Sequence, residues 1–185
     1  MKKILCIGEA LIDMICTDKG KTLSEGNHFL KKAGGAPTNV AAAIAALGGN
    51  ADVAAKVGVD PFGKHLIEVM QSFGISTKWV IQDKNNFTTF AFVSLMENGE
   101  RDFYFNRGAD GQLSEEDIAG LDLSNIPSYI LVQLPLFFRA LYNKLILNCL
   151  IKHSLQIFLS VLILITGIYY FSIIRILLFN SPGFS

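Results

Sequence analysis

A pair of glycines directly before an alanine-rich run is the part of this chain whose residue types best fit ligand chemistry. Gly34 and Gly35 leave room for close approach to the backbone, and Pro37 suits the first position of a helix. The free N–H groups of that helix start, together with the Asn39 amide, can hydrogen-bond the hydroxyl groups or the negative charge of a ligand. The same residues also fit a glycine turn before a helix that packs tightly on a sheet, and the segment alone leaves both interpretations open.

The elements around this segment alternate between strands and helices. Short apolar runs predict buried strands, and helical spacing of apolar residues with glycine stops predicts helices. The predicted strands are residues 4–7, 29–33 and 52–57, and the predicted helices are residues 38–47 and 60–73. This order predicts an α/β fold with a parallel sheet covered by helices.

Residues 87–107 break this pattern. Residues 87–95 are rich in β-forming side chains, an Asn98-Gly99 turn signal follows, and a second aromatic run comes after it. That order predicts a β-hairpin. A hairpin inside an α/β sequence suggests a β lid over one end of the sheet.

The composition argues against several classes of function. The 16 basic and 16 acidic residues give a net charge of zero, which provides no general attraction to nucleic acid. The three cysteines form no CxxC pair and the three histidines are scattered, so no metal site is expected. An odd cysteine count without a disulfide pattern fits a reducing cytoplasm.

Four motifs occur in the order typical of one enzyme family. They are Gly8-Glu9-Ala10-Leu11-Ile12-Asp13, Gly34-Gly35-Ala36-Pro37-Thr38-Asn39-Val40-Ala41, Val57-Gly58-Val59-Asp60-Pro61-Phe62-Gly63 and Asn106-Arg107-Gly108-Ala109-Asp110. Together they resemble the PfkB (ribokinase-like) carbohydrate kinases, and within these they look most like bacterial fructokinases. The resemblance covers residues 1–130. It implies a ribokinase-like parallel sheet with helices on both faces and a small β lid, and phosphoryl transfer from ATP to a sugar hydroxyl, as from fructose to fructose 6-phosphate.

The resemblance also implies a set of substrate-binding residues. They are Asp13, Gly34, Gly35, Asn39, Phe103, Phe105 and Arg107. By this resemblance Asp13 accepts two hydrogen bonds from sugar hydroxyls, the glycines and the amide line the sugar site, Arg107 reaches the substrate from the lid, and the two phenylalanines wall the pocket. Without the family, Asp13 fits a solvated loop acid, Arg107 a surface charge, and the phenylalanines an ordinary lid core.

The C-terminal half of the family pattern is not recognisable in this sequence. The family's Gly-Ala-Gly-Asp motif, which supplies the anion hole and the catalytic base, has no match, and neither does the nucleotide site. ATP and Mg²⁺ are therefore implied for the intact family member, whereas this chain is expected to bind neither well. Because phosphoryl transfer depends on positioning, charge stabilisation and activation of the acceptor hydroxyl, we expect this chain to bind sugar at best and to lack a catalytic residue.

The composition changes sharply near residue 130. The 12 basic and 16 acidic residues before that point give a net charge of −4, whereas the tail carries four basic residues and no acid, for a charge of +4. Residues 155–179 form a long apolar run. A run of that length fits a transmembrane helix, so membrane association through it is one interpretation of the tail.

A single-base frameshift near residues 128–130 is the second interpretation. When each codon is begun one base earlier, allowed codons for residues 129–135 yield His-Phe-Gly-Ser-Ala-Thr, and those for residues 160–167 yield Ser-Phe-Asp-Pro-Asn-Tyr-Arg. Both strings look like what fructokinases of this family carry next. We therefore expect residues 1–130 to be the N-terminal part of a kinase domain with its lid, and residues 131–185 to be a non-homologous frameshift product.

Three functions stay open on the sequence alone. The first is an inactive N-terminal part of a fructokinase-like kinase in the cytoplasm. The second is a membrane-tethered sugar-binding module anchored by residues 155–179. The third is a kinase of the same fold that acts on 2-keto-3-deoxygluconate or a nucleoside. Because the lids of related kinases often pair, the resemblance also implies a homodimer for the intact protein.

Sequencing the coding DNA across codon 130 tests the frameshift. We expect the frame that begins one base earlier to continue through both shifted strings and into a Gly-Ala-Gly-Asp motif, because a recent shift leaves the original codons in place. A shifted frame that reaches a stop codon before that motif would contradict the frameshift and favour a membrane tail.

Overall fold

The computed structural model describes residues 3–96, 98–121 and 128–132, which all lie in one unit of the chain, Met1–Pro135. The strands are β1 (Lys3–Gly8), β2 (Leu11–Cys16), β3 (Phe29–Gly34), β4 (Asn50–Gly58), β5 (Ser76–Asp83), β6 (Phe90–Leu95), β7 (Arg101–Asn106) and β8 (Ser128–Val132), and the helices are α1 (Ala36–Ala46), α2 (Pro61–Ser72) and α3 (Glu115–Ile118). None of the helices in this described part is long and apolar enough to cross a membrane. The apolar run at residues 155–179 lies outside the described residues.

The core sheet is parallel and has the strand order β5-β4-β1-β8. Its central strands are buried, and Leu5, Cys6 and Ile7 have no exposed surface. A strand covered on both faces needs apolar side chains at successive positions, which is why the short apolar runs predicted β1 and β4 correctly. The edge strand β5 is only partly buried and mixes polar with apolar residues, so its sequence carries no such signal.

Helices cover both faces of the core sheet, as the family resemblance predicted. The cluster on one face includes Val53, Ala55 and Val57 of β4, Ala41 of α1, and Leu66 and Met70 of α2. Lys56 points to the opposite face because side chains alternate along a strand. There its ammonium group donates to the Gln112 carbonyl at 3.1 Å and to the Asp117 carboxylate at 2.9 Å. The 3₁₀ helix Ala109–Gln112 and α3 therefore lie on that second face.

The lid is a second four-stranded sheet with the order β3-β2-β6-β7. Strands β6 and β7 form the antiparallel hairpin that the Asn98-Gly99 signal predicted. The structure adds β2 and β3 to this hairpin, and β2 pairs with β6 in parallel across a long stretch of chain. Local sequence patterns do not encode such distant pairing, so the prediction covered only half of the lid.

Asp60 joins the core to the lid at the start of α2. Its carboxylate caps the helix by accepting from the N–H groups of Phe62 at 2.9 Å and Gly63 at 2.8 Å. It also accepts from the backbone N–H of Thr88 at 2.7 Å and from the Thr88 hydroxyl at 2.9 Å, just before β6. Burial raises the pKa of Asp60, but these hydrogen bonds outweigh burial and hold the pKa below its usual value.

Aromatic rings reinforce the same junction. The ring of Phe62 on α2 meets the ring of Phe90 on β6 edge-to-face, with centroids 4.7 Å apart. Phe92 lies 6.0 Å from Phe90 and 6.1 Å from Phe29 on β3. These contacts hold one face of the lid sheet toward α2. The side chains on the other face of the sheet therefore point away from α2.

Substitution of Asp60 tests this junction. We expect Asp60→Ala to lower the free energy of unfolding by about 2 kcal/mol, because it removes a helix cap and the bonds to Thr88. Urea denaturation of the full chain measures the change. Since the folded pKa is lowered, the contribution of Asp60 is present above its unfolded pKa of about 4 and is lost as the pH falls through the folded value.

The matched control for this experiment is Glu68→Ala. Glu68 lies on the same helix, and its exposed carboxylate is 3.7 Å from Lys64. Exposed pairs of this kind contribute about 0.3–0.5 kcal/mol, so the control loss is small. Equal losses for the two variants would contradict the role of Asp60 as the link between core and lid.

Candidate functional site

The two glycines form a turn that has no space for a side chain. Gly35 has a φ of 103°, a conformation that other residues rarely adopt, and it occupies the N-cap position of α1. A Cβ atom on Gly34 would overlap the Oδ2 atom of Asp13, and a Cβ on Gly35 would lie 2.5 Å from the Glu9 carbonyl oxygen. The Thr38 hydroxyl donates to the Gly34 carbonyl at 2.7 Å and fixes the turn. Close packing within the chain therefore accounts for both glycines, and it brings Gly34 against Asp13 and Gly35 against the Glu9 backbone.

Asp13 lies on strand β2 and not in a loop. It is half-buried and pairs in register with Lys32 of β3 and Ala91 of β6. Burial raises the pKa of its carboxyl group. A carboxylate that is partly removed from water and has a bare glycine beside it can accept hydrogen bonds from a ligand at little steric cost.

Two aromatic residues share the lid face that carries Asp13. Asp13, Ala91 and Phe105 are directly opposed on neighbouring strands, and such residues point to the same face of a sheet. Phe103 shares that face because it precedes Phe105 by two residues, and the two ring centroids are 4.9 Å apart. Phe103 is 52% exposed, so it does not belong to a closed lid core. The guanidinium of Arg107 lies over the Phe105 ring, 4.9 Å from its centroid.

Asp110 is the nearest partner of Arg107. The guanidinium donates to the Asp110 carboxylate at 2.8 Å, and Asp110 is only 3% exposed. The Thr89 hydroxyl donates to the other Asp110 oxygen, and the same hydroxyl accepts from the Gly108 N–H at 2.7 Å. Burial raises the pKa of Asp110, against the lowering effects of Thr89 and Arg107. Arg107 is thus held in an ion pair and is not a free surface charge.

Glu9 is the second acidic partner of Arg107. One of its carboxylate oxygens lies 3.6 Å from the guanidinium, and its side chain is 11% exposed. Burial raises the pKa of Glu9, Arg107 lowers it, and the hydrogen bond from the Ala36 backbone lowers it as well. The charge of Asp13 is close enough to raise it further. Glu9 therefore connects the start of α1, the Asp13 carboxylate and Arg107.

The structure brings four of the seven predicted residues together at one end of the lid: Asp13, Gly34, Gly35 and Arg107, with Phe103 and Phe105 on the same lid face. Asn39 is different. Its exposed side chain lies in the first turn of α1 and lines a groove of about 200 Å³ between α1 and α2. Within the described residues its amide makes no side-chain hydrogen bond, so its role stays a prediction.

Glu9 and Asp110 are two largely buried acids beside Arg107 for which the motifs predicted no role. Both acids lie inside the motifs that carry the resemblance, each within a few residues of an assigned one. The sequence signal for them is an acid in otherwise apolar or glycine-rich surroundings. Such an acid needs a cationic partner if it is buried. Asp110 is only three residues from Arg107, whereas Glu9 is about a hundred positions away, so the pairing of Glu9 with Arg107 is visible only in the fold.

The described residues do not fit a nucleotide phosphate or its metal ion. The Asp60 carboxylate accepts from the first N–H groups of α2, and the Glu9 carboxylate lies near Ala36 at the start of α1. Negative charge at these positions disfavours a bound phosphate. Within residues 3–96, 98–121 and 128–132 there is also no group of three acidic, histidine or cysteine side chains that could hold a metal. No step through ATP or Mg²⁺ is therefore derived from these residues.

The parallel core, the β lid and the glycine turn beside Asp13 define an α/β protein of the ribokinase-like fold. A family model described as pfkB family carbohydrate kinase matches residues 1–151. The chain belongs to this family, which confirms the resemblance seen in the four motifs. The match extends past residue 130, and the domain boundary predicted there stays a prediction.

Named relatives include plant and bacterial fructokinases. The probable fructokinase-5 of Arabidopsis thaliana is 42% identical over 117 residues, which cover 62% of this chain and 36% of the relative. The fructokinase of Halothermothrix orenii superimposes with a TM-score of 0.65 at 29% identity, over 76% of this chain and 51% of that one. A sugar kinase of Pyrococcus horikoshii, solved in complex with ATP, gives a TM-score of 0.69 at 28% identity, over 79% and 49% of the two chains. The chain thus spans about a third to a half of the length of these relatives.

Substitution of Gly34 tests the packing against Asp13. We expect Gly34→Ala to destabilise the full chain by about 1–3 kcal/mol, because the new methyl group must displace the carboxylate. Urea denaturation measures the loss, and the carboxyl carbon resonance of Asp13 reports the displacement. The matched control is Gly120→Ala, since a Cβ there meets no atom within 4 Å. An unchanged Asp13 resonance in Gly34→Ala would show that the two residues are not in contact.

Proposed function

We propose that this chain carries the sugar-recognition part of a fructokinase-like kinase and that Asp13 binds the hydroxyl groups of a ketohexose such as fructose. The observation that carries the proposal is the Asp13 carboxylate at the Gly34 turn, on the lid face of Phe105 and beside the Glu9–Arg107 pair. The names of the relatives support a fructokinase-like substrate.

The arrangement suits an uncharged polyhydroxyl ligand. A carboxylate has two acceptor oxygens and can bind two neighbouring hydroxyl groups at once. Hydrogen bonds to a charged acceptor are stronger than neutral ones, so Asp13 provides the main polar anchor. The Phe103 and Phe105 rings offer an apolar wall for the C–H groups of the sugar, and Gly34 lets the Asp13 carboxylate pack against the turn.

The proposed function is sugar binding without phosphoryl transfer. In the intact family member ATP is the phosphoryl donor and Mg²⁺ its partner, as the family implies. The described residues of this chain offer neither a phosphate cradle nor a metal cluster, and the sequence carries no Gly-Ala-Gly-Asp motif. We therefore infer that this chain binds sugar without transferring phosphate.

The remaining alternatives stay predictions. Membrane fractionation distinguishes a cytoplasmic location from a membrane-tethered sugar-binding module. Substrate screening of the frame-restored protein tests for a same-fold kinase that acts on 2-keto-3-deoxygluconate or a nucleoside. A homodimer through the lid is supported by its exposed apolar face. Ile15, Leu30, Leu95 and Phe103 share that face and are 39–60% exposed.

Substitution of Asp13 tests the proposed sugar site. We expect Asp13→Asn to weaken fructose binding to the full chain by about 10- to 100-fold, because the amide loses the charge and one of the two acceptor atoms. Isothermal titration calorimetry without ATP measures the affinity. Glu68→Gln makes the same chemical change on an exposed face of α2 and should leave the affinity within about twofold. Equal fructose affinity in Asp13→Asn and the unmodified chain would refute the assignment.

A further inference from the structure

We propose that Glu9 and Asp110 are positioning residues that hold Arg107 between them and thereby make the site select an uncharged sugar over a sugar acid. Glu9 and Asp110 together form a carboxylate pair around the guanidinium. The selectivity rests on the proposed sugar-binding function, whereas the positioning of Arg107 does not.

Three contacts fix the Arg107 side chain. One terminal nitrogen bonds to Asp110 at 2.8 Å, and the other lies 3.6 Å from Glu9. The guanidinium carbon lies over the Phe105 ring, 4.9 Å from its centroid. Since Arg107 is 37% exposed while the side chains of Asp110 and Glu9 are 0% and 11% exposed, the acids lie behind the guanidinium and approach it from inside the protein.

The carboxylate pair is itself anchored at both ends. The Thr89 hydroxyl, directly before β6, donates to Asp110, and the Glu9 carboxylate lies near the Ala36 backbone at the start of α1. The carboxylate pair therefore spans the junction of lid and core. A movement of the Arg107 guanidinium away from one carboxylate would also change its distance to the other. A side chain fixed in this way loses little further freedom when a ligand binds.

The local charge disfavours an anionic ligand. Two carboxyl groups, those of Glu9 and Asp110, lie against the single guanidinium of Arg107, and the charge of Asp13 is close to Glu9. Lys32 is opposite Asp13 on β3, but it is exposed and is not within ion-pair distance of that acid in the part of the chain that the structure describes. The positive charge of Arg107 is thus already offset, and a second carboxylate from a sugar acid would meet an excess of negative charge.

The selectivity test compares two probes on the full chain. D-Fructose is the uncharged probe and 2-keto-3-deoxygluconate is the acidic one, with affinities from calorimetry. We expect Glu9→Gln/Asp110→Asn to shift the ratio of the two affinities toward the acid by at least about tenfold, because it removes two negative charges near a partly buried site. Asp117→Asn is the matched control, since it removes a partly buried acid from the distant Lys56 pair and should leave the ratio unchanged.

The positioning of Arg107 has its own readout in the ligand-free chain. The Nε–Hε proton of Arg107 should exchange with solvent about tenfold faster in the double variant than in the unmodified chain, while Asp117→Asn has no such effect. If the double variant does not fold, Glu9→Gln alone carries both measurements, since it removes the charge of the less buried acid and keeps the shape of the side chain.

The outcomes separate the two proposals. Unchanged Arg107 exchange in the variant overturns the positioning role, whatever the sugar affinities show. Faster exchange together with a shifted affinity ratio supports both parts of the inference. Faster exchange with fructose binding and an unchanged ratio overturns the selectivity. If the unmodified chain binds neither probe, the proposed sugar-binding function fails and the selectivity fails with it. Faster Arg107 exchange in the double variant would then still support the positioning role of the carboxylate pair.

Discussion

The absence of side chains at Gly34 and Gly35 is the constraint on which the site depends. Because a Cβ on either glycine would collide with Asp13 or with the Glu9 backbone, only glycine allows the end of β3 to meet β2 and the link between β1 and β2. That contact places the start of α1 beside two acids, Asp13 on lid strand β2 and Glu9 in the link between β1 and β2. Any residue with a side chain would separate the lid from the core at the place where they must meet.

The junction between lid and core is reinforced at a second place by polar bonds and aromatic rings. Asp60 binds the start of α2 and Thr88 at once, and the Phe62–Phe90 contact adds apolar packing beside it. These contacts use one face of the lid and leave the other to Asp13, Phe105 and the exposed apolar residues. One face of the lid therefore packs toward α2, while the other face carries Asp13 and exposed aromatic and aliphatic side chains.

The sequence predicted those elements whose signals are local. The buried runs of β1 and β4, the capped start of α2 and the Asn98-Gly99 hairpin all depend on neighbouring residues, and the structure confirms them. Strand β5 and the contribution of β2 and β3 to the lid were not predicted, because partial burial at an edge and pairing over long distances leave no periodic pattern. The motifs located Asp13 and Arg107, but the partners of Arg107 are set by the fold.

The positions of the acids also determine what the two helix starts of this chain can bind. A helix start that binds phosphate must offer free N–H groups and a positive field. Here the Asp60 carboxylate accepts from the first N–H groups of α2, and the Glu9 carboxylate lies near Ala36 at the start of α1. Negative charge at these positions disfavours a bound phosphate. A phosphate donor would require free N–H groups and cations that the two helix starts do not provide in the described part of the chain.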